Sequence, residues 1–95
     1  MKYFNWNNDK NEKLRVTRGV SFEEAVLAID QGQLLDILRH PNQNKYKNQY
    51  MFVVKIYNYA WLIPFVEAGS EVFLKTIIPS RKATKKYLRK GVEND

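Results

Sequence analysis

Apolar residues change their spacing several times along this chain, and each change predicts an element boundary. Lys2–Trp6 sets Tyr3 and Asn5 against Phe4 and Trp6, the alternation of a short strand. Asn7 or Asn8 can cap a helix, because a side-chain amide oxygen accepts a free first-turn N–H. Asp9 and Glu12 near the start of that helix and Arg15 and Arg18 near its end suit the helix dipole. Gly19 fits the left-handed stop. Only Leu14 and Val16 are apolar in this helix, which predicts shallow packing. Ser21-Phe22-Glu23-Glu24 is a capping box, with Ser21 and Glu24 each able to satisfy the other's N–H. Phe22, Ala25, Val26 and Ile29 then recur at helical spacing, and Gly32 ends the second helix.

Past Gly32 the pattern turns to strands. Gln33–Arg39 reads as one, stopped by Pro41, and the polar run 41–48 as a loop. Tyr50, Phe52, Val54 and Ile56 alternate with Met51, Val53, Lys55 and Tyr57. Asn58 marks a tight turn, and Ala60–Val66 is the next strand. Its Pro64 cannot donate to a ladder, which places that part at an edge or a bulge. After the Ala68-Gly69-Ser70 turn, Glu71–Ile78 is the last strand, and the short connections make the final three strands an antiparallel meander. Pro79-Ser80 breaks the strand and opens a last helix capped by Ser80, with an apolar seam of Ala83, Thr84, Tyr87 and Leu88. The expectation is a single α+β domain over residues 1–95. It would have a small antiparallel sheet of about four strands, two N-terminal helices and one basic C-terminal helix.

Charge changes this picture because it is concentrated. The net charge is +6, yet residues 75–90 alone hold seven cations and no acid. Arg81, Lys85 and Arg89 form one ladder along the last helix, and Lys82, Lys86 and Lys90 another, flanking the apolar seam. Neighbouring like charges disfavour a lone helix, so an anionic partner is expected: nucleic acid, an acidic protein or anionic lipid. A solvated helix face is the plainer explanation of such a run. No apolar run is long enough to span a membrane, and the first residues lack the apolar core of a signal peptide. With no cysteine, a disulfide framework, a thiolate zinc site and a cysteine nucleophile are excluded. An intracellular, cytoplasmic protein without membrane association is expected.

Chemistry-bearing residues are few. His40 is the only histidine, which excludes a two-histidine metal site or ribonuclease pair, and neither metal nor cofactor is expected. His40 precedes Pro41 at a strand end, where it can cap the chain, contact RNA or take part in proton transfer. The Ser21 hydroxyl is better used in capping than in nucleophilic attack. Cleavage of RNA by its own 2′-hydroxyl needs a proton acceptor, a proton donor and stabilisation of the phosphorane's added charge. Arginine and lysine supply the last, and aromatic rings can stack unpaired bases. Trp6, Lys10, Lys75, Arg81 and the tyrosines are of these types.

Two blocks carry a family resemblance. The first is Phe4, Trp6 and Lys10 followed by Gly19-Val20-Ser21-Phe22-Glu23-Glu24-Ala25. The second is Ile77-Ile78 followed by Arg81-Lys82-Ala83-Thr84. Together they resemble the BrnT family of bacterial toxin–antitoxin toxins and cover roughly a third of the chain, residues 33–73 matching only in strand pattern. The resemblance implies a RelE-like or ParE-like fold and a metal-independent ribonuclease that arrests translation. It implies a cognate antitoxin, usually with a ribbon-helix-helix part, an acidic segment of which would cover the basic surface. Operator DNA would be reached only through that antitoxin. By position, Trp6, Lys10 and Arg81 match as catalytic candidates. Lys75, Lys82, Lys85, Lys86, Arg89 and His40 are the RNA-binding candidates. Three positions differ: Arg18 stands where the family often has His, Leu14 where it often has Asn, and Thr76 where it often has Arg. Other readings of the same residues are a non-catalytic nucleic-acid or ribosome-binding module, a degenerate toxin acting only with its antitoxin at an operator, and a gyrase poison. The Pro64 region and the aromatic-rich strands are a candidate homodimer surface.

Overall fold

A computed structural model describes residues 2–39, 41, 42, 44, 45, 47 and 49–89. The elements run β1 (Tyr3–Asn5), α1 (Asn8–Arg18), α2 (Phe22–Asp30), β2 (Leu34–Arg39), β3 (Gln49–Ile56), β4 (Tyr59–Ala68), β5 (Glu71–Leu74), β6 (Ile78–Pro79) and α3 (Arg81–Leu88). The sheet order is β1-β5-β4-β3-β2, with β6 paired to β4. The α+β class and the three helices match expectation. The sheet does not: it has six strands and is mixed, because β1 lies parallel to β5 while the other pairs are antiparallel. Side-chain alternation marks a strand but does not encode the direction of its partner, so the parallel pair was not legible.

The helix boundaries follow their capping chemistry. The Asn7 side chain accepts from the Lys10 N–H at 2.9 Å, and Gly19 adopts φ 69° to close α1. In α2 both bonds of the Ser21/Glu24 box are formed, at 3.2 and 2.9 Å. Two consecutive left-handed residues, Tyr57 (φ 55°) and Asn58 (φ 61°), turn β3 into β4, as a two-residue hairpin loop requires. At the hairpin tip the Tyr57 hydroxyl donates to the Glu24 carboxylate.

The strand expected over Glu71–Ile78 is interrupted. β5 pairs with β4 up to Phe65 and Leu74, and pairing resumes with β6 at Leu62 and Ile78. Lys75, Thr76 and Ile77 thus stand opposite only Ile63 and Pro64, which is a bulge. Pro64 therefore sits in an interior strand, not at an edge. It is tolerated because its missing N–H falls in the ladder gap, where its carbonyl accepts from the Lys75 N–H at 2.8 Å. Pro79, expected to break the strand, pairs with Trp61 as the last residue of β6.

Both faces of the sheet are covered, and for that reason Phe52, Val53 and Val54 are all buried. Alternate residues point to different layers. Phe52, Val54, Ile56, Ile63, Phe65 and Leu74 join Leu14, Phe22 and Ala25 in a large core under α1 and α2. Phe52 and Phe65 stack at 3.9 Å there, and Phe4 meets Phe52 edge-on at 6.1 Å. Val53 and Ala60 join Ala83, with Leu35, Leu38, Leu62, Tyr87 and Leu88, in a small core under α3. The shallow packing expected of α1 holds for Val16, which is 82% exposed, while Leu14 is inserted to 2%.

Candidate nucleic-acid interface

The basic helix is fixed to the sheet by three sets of bonds. Ser80 caps it, its hydroxyl accepting from the Ala83 N–H at 3.1 Å, while the Ser80 N–H donates to the Ala60 carbonyl at 3.0 Å. Thr84, 2% exposed, accepts from the Ala60 N–H and donates to the Ser80 carbonyl, both at 2.8 Å. The Tyr87 hydroxyl donates to the Asp36 carboxylate of β2 at 2.5 Å. With Ala83, Thr84, Tyr87 and Leu88 turned to the sheet, helical periodicity turns the other positions outward. Arg81, Lys82, Lys85, Lys86 and Arg89 are all exposed.

This surface is cationic: residues 75–90 hold no acid, and the Asp36 carboxylate of β2 acts on Lys86 from the sheet. Arg81 occupies the first turn, where the helix dipole opposes a cation and favours an anion. The Lys86 ammonium lies 5.2 Å from the centre of the Tyr87 ring. Beside this row a cleft of about 260 Å³ opens between α3 and the sheet, floored by Leu38 and Leu62 and rimmed by Ser80, Lys82, Lys86 and Tyr87.

Asp36 and Tyr87 are titratable groups of this region, and their contact drives them apart. Accepting the Tyr87 hydrogen, and next the Ile37 N–H, holds the Asp36 carboxyl below its usual range. The same bond and the neighbouring negative charge push the Tyr87 phenol above its usual range. The pair fixes α3 in place and does not exchange protons near neutrality.

The other sequence candidates are placed as follows. Trp6 is half-buried in the layer of α1 and α2 and stacks on Phe22 at 5.6 Å and 25°. It also lines a second cleft, of about 400 Å³, with Phe4, Val26 and Leu27. Lys10 is half-buried in the first turn of α1. Trp6 thus packs on one layer of the molecule, and Arg81 opens the helix of the other. Lys75 is exposed at the bulge. His40 and Lys90 lie outside the described residues. Among the described residues, no group of three or more His, Cys, Asp or Glu side chains is placed to hold a metal ion.

Three contributions were missed in the sequence. Arg18 donates to the Ile77 carbonyl at 2.5 Å, tying the end of α1 to the connection that leads into α3. The buried Asn11 accepts from the Phe22 N–H and donates to Glu23, both at 2.7 Å, which holds α1 against the start of α2 and lowers the Glu23 pKa. Asp36 anchors α3. An acid inside the apolar run QLLDILR, and an asparagine one turn before Leu14, were the available signals.

No known protein family matches the chain, and no curated protein matches it.

Proposed function

We propose that this chain is a toxin of the BrnT type that acts on RNA, gripping the phosphate backbone with the exposed face of α3. The observation that carries the reading is the segregation on that helix: four inward positions dock it, and the five cations of 81–89 face solvent without an acid among them. Backbone phosphates are the ligand such a row matches in charge and periodicity. Arg81, at the head of the helix, is assigned to the phosphate to be cleaved, where its planar fork offsets the charge gained as the ribose 2′-oxygen, its proton passed to water, bonds to phosphorus and the 5′-oxygen leaves, taking a proton from water. Lys10 and Trp6 are assigned to the same activity by the resemblance alone. A cognate antitoxin with an acidic segment would compete for the same surface.

A second reading is favoured by the separation of Trp6 from Arg81 across the sheet, and by the locking of Asp36 to Tyr87. It is a non-catalytic RNA- or ribosome-binding module that uses the same helix. End-labelled single-stranded RNA, incubated with wild type and Arg81→Ala, separates the two. The toxin reading expects fragments with wild type only, while both proteins stay folded, and translation arrest when wild type is induced in bacteria. Binding without fragments at any protein concentration would leave the module and remove the enzyme.

A further inference from the structure

The cleft beside α3 has a chemistry different from the cationic row above it. Its floor is aliphatic, from Leu38 on β2 and Leu62 on β4. One wall is the Tyr87 ring, held by the 2.5 Å bond of its hydroxyl to Asp36. Ser80, whose hydroxyl caps the helix, and the exposed Lys82 and Lys86 complete the lining. An aliphatic floor does not attract phosphate, and lysines on the rim do not suit an uncharged ligand. A nucleotide with its base unpaired meets both conditions at once, being a flat apolar-faced ring joined to an anionic phosphate. At about 260 Å³ the cleft is smaller than the range of drug-sized sites, roughly 300–1,000 Å³, and is scaled to a single base.

We infer that this cleft receives one unpaired nucleobase of a bound RNA strand, while Lys82 and Lys86 hold the phosphates on either side of it. The inference rests on the reading of α3 as an RNA-binding surface and adds where a base is held. It explains why the two helix rows differ. Lys82 and Lys86 line the cleft, whereas Arg81, Lys85 and Arg89 form the outer ladder and serve the backbone alone. It restricts the substrate to single strands, because a base inside a duplex cannot reach a floor set between a helix and a sheet. Tyr87 has two parts in this account: its hydroxyl positions the ring, and the ring is the wall the base contacts.

The test compares two fluorescent probes of equal length, oligouridylate and the same chain with abasic sites, by anisotropy at several salt concentrations. Wild type is expected to bind the base-bearing probe about tenfold more tightly than the abasic one, the order expected for one stacked base. Leu38→Arg fills the cleft and adds a cation. It is expected to bind the abasic probe at least as well as wild type and to lose the preference for bases. Tyr87→Phe keeps the ring and is expected to retain the preference, and Tyr87→Leu to lose it. On wild type itself, a 4-thiouridine probe is expected to crosslink within the peptides that contain Leu38, Leu62 or Tyr87, a readout that survives if a variant fails to fold. Equal affinity of wild type for both probes, or crosslinks confined elsewhere, would overturn the cleft assignment while leaving α3 as an RNA-binding surface. Binding of neither probe would instead remove the RNA reading itself.

Discussion

The two faces of the sheet are built on opposite terms. Under α1 and α2 lies a broad core with stacked aromatics, and the buried Asn11 of α1 bonds to Phe22 and Glu23 at the start of α2. Under α3 lies a small core of Val53, Ala60 and Ala83 with half-buried neighbours, and the helix above it carries charge on every outward position of 81–89. The first face has the apolar area that stabilises the fold, since burial contributes about 25 cal/mol per Å². The second is secured by hydrogen bonds at a few points and leaves its cations and a cleft accessible. The contrast teaches that charge excess in this molecule is located where packing contributes least, so the surface can serve an anion without loosening the core.

The comparison breaks first at Phe22. It is fully buried, and Phe22→Ala should cost about 3–5 kcal/mol in urea unfolding. The matching truncation on the other face, Leu88→Ala, removes a half-buried side chain and should cost about 1–2 kcal/mol. Equal losses would mean that the two faces share the stability.

A smaller effect is expected at the cap of the basic helix. Ser80→Ala removes the bond to the Ala83 N–H and should cost about 1 kcal/mol. Because it lies outside the main core, the loss should appear as faster amide exchange in 81–88 before the sheet opens.

The smallest effect is in the pH dependence of the α3 anchor. The Asp36 pKa is lowered in the folded state, so its contribution is present above the unfolded carboxylate value and is lost as pH falls through the lowered one. The Tyr87 pKa is raised, so its contribution is present below the unfolded phenol value and is lost as pH rises through the raised one. The anchor should therefore hold across the whole neutral range and loosen only at the acid and alkaline extremes. Tyr87→Phe should flatten both limbs in a pH series of thermal melts. A transition near neutrality would contradict this assignment.

Much of the fold was legible because local chemistry marked it. Asn7, Gly19, Ser21 with Glu24, and Ser80 each place a helix end through one hydrogen bond or one left-handed residue, and such signals lie within a few residues of the boundary they set. The inward seam of α3 was legible for the same reason. The parallel pairing of β1 with β5 and the split of the last strand depend on partners more than sixty residues away or across a bulge, and no local spacing encodes them. For the candidate site, the cationic positions could be read from the sequence, but their company could not. Asp36, the anchor of α3, comes from a strand 51 residues from Tyr87. Trp6 and Lys10 are grouped with Arg81 only by the resemblance, from opposite ends of the chain, and Trp6 packs on the layer opposite α3 in the fold.

The central claim is that the outward face of α3 is an RNA-binding surface separable from stability. It is tested most directly by the salt dependence of affinity for single-stranded RNA in wild type and in Lys82→Ala/Lys86→Ala, with urea unfolding of both. The account predicts a steep wild-type dependence, a slope shallower by about 0.7 for each phosphate contact removed, and stability unchanged within about 0.5 kcal/mol. An identical slope in the two proteins, or a loss of affinity matched by a loss of stability, would contradict it.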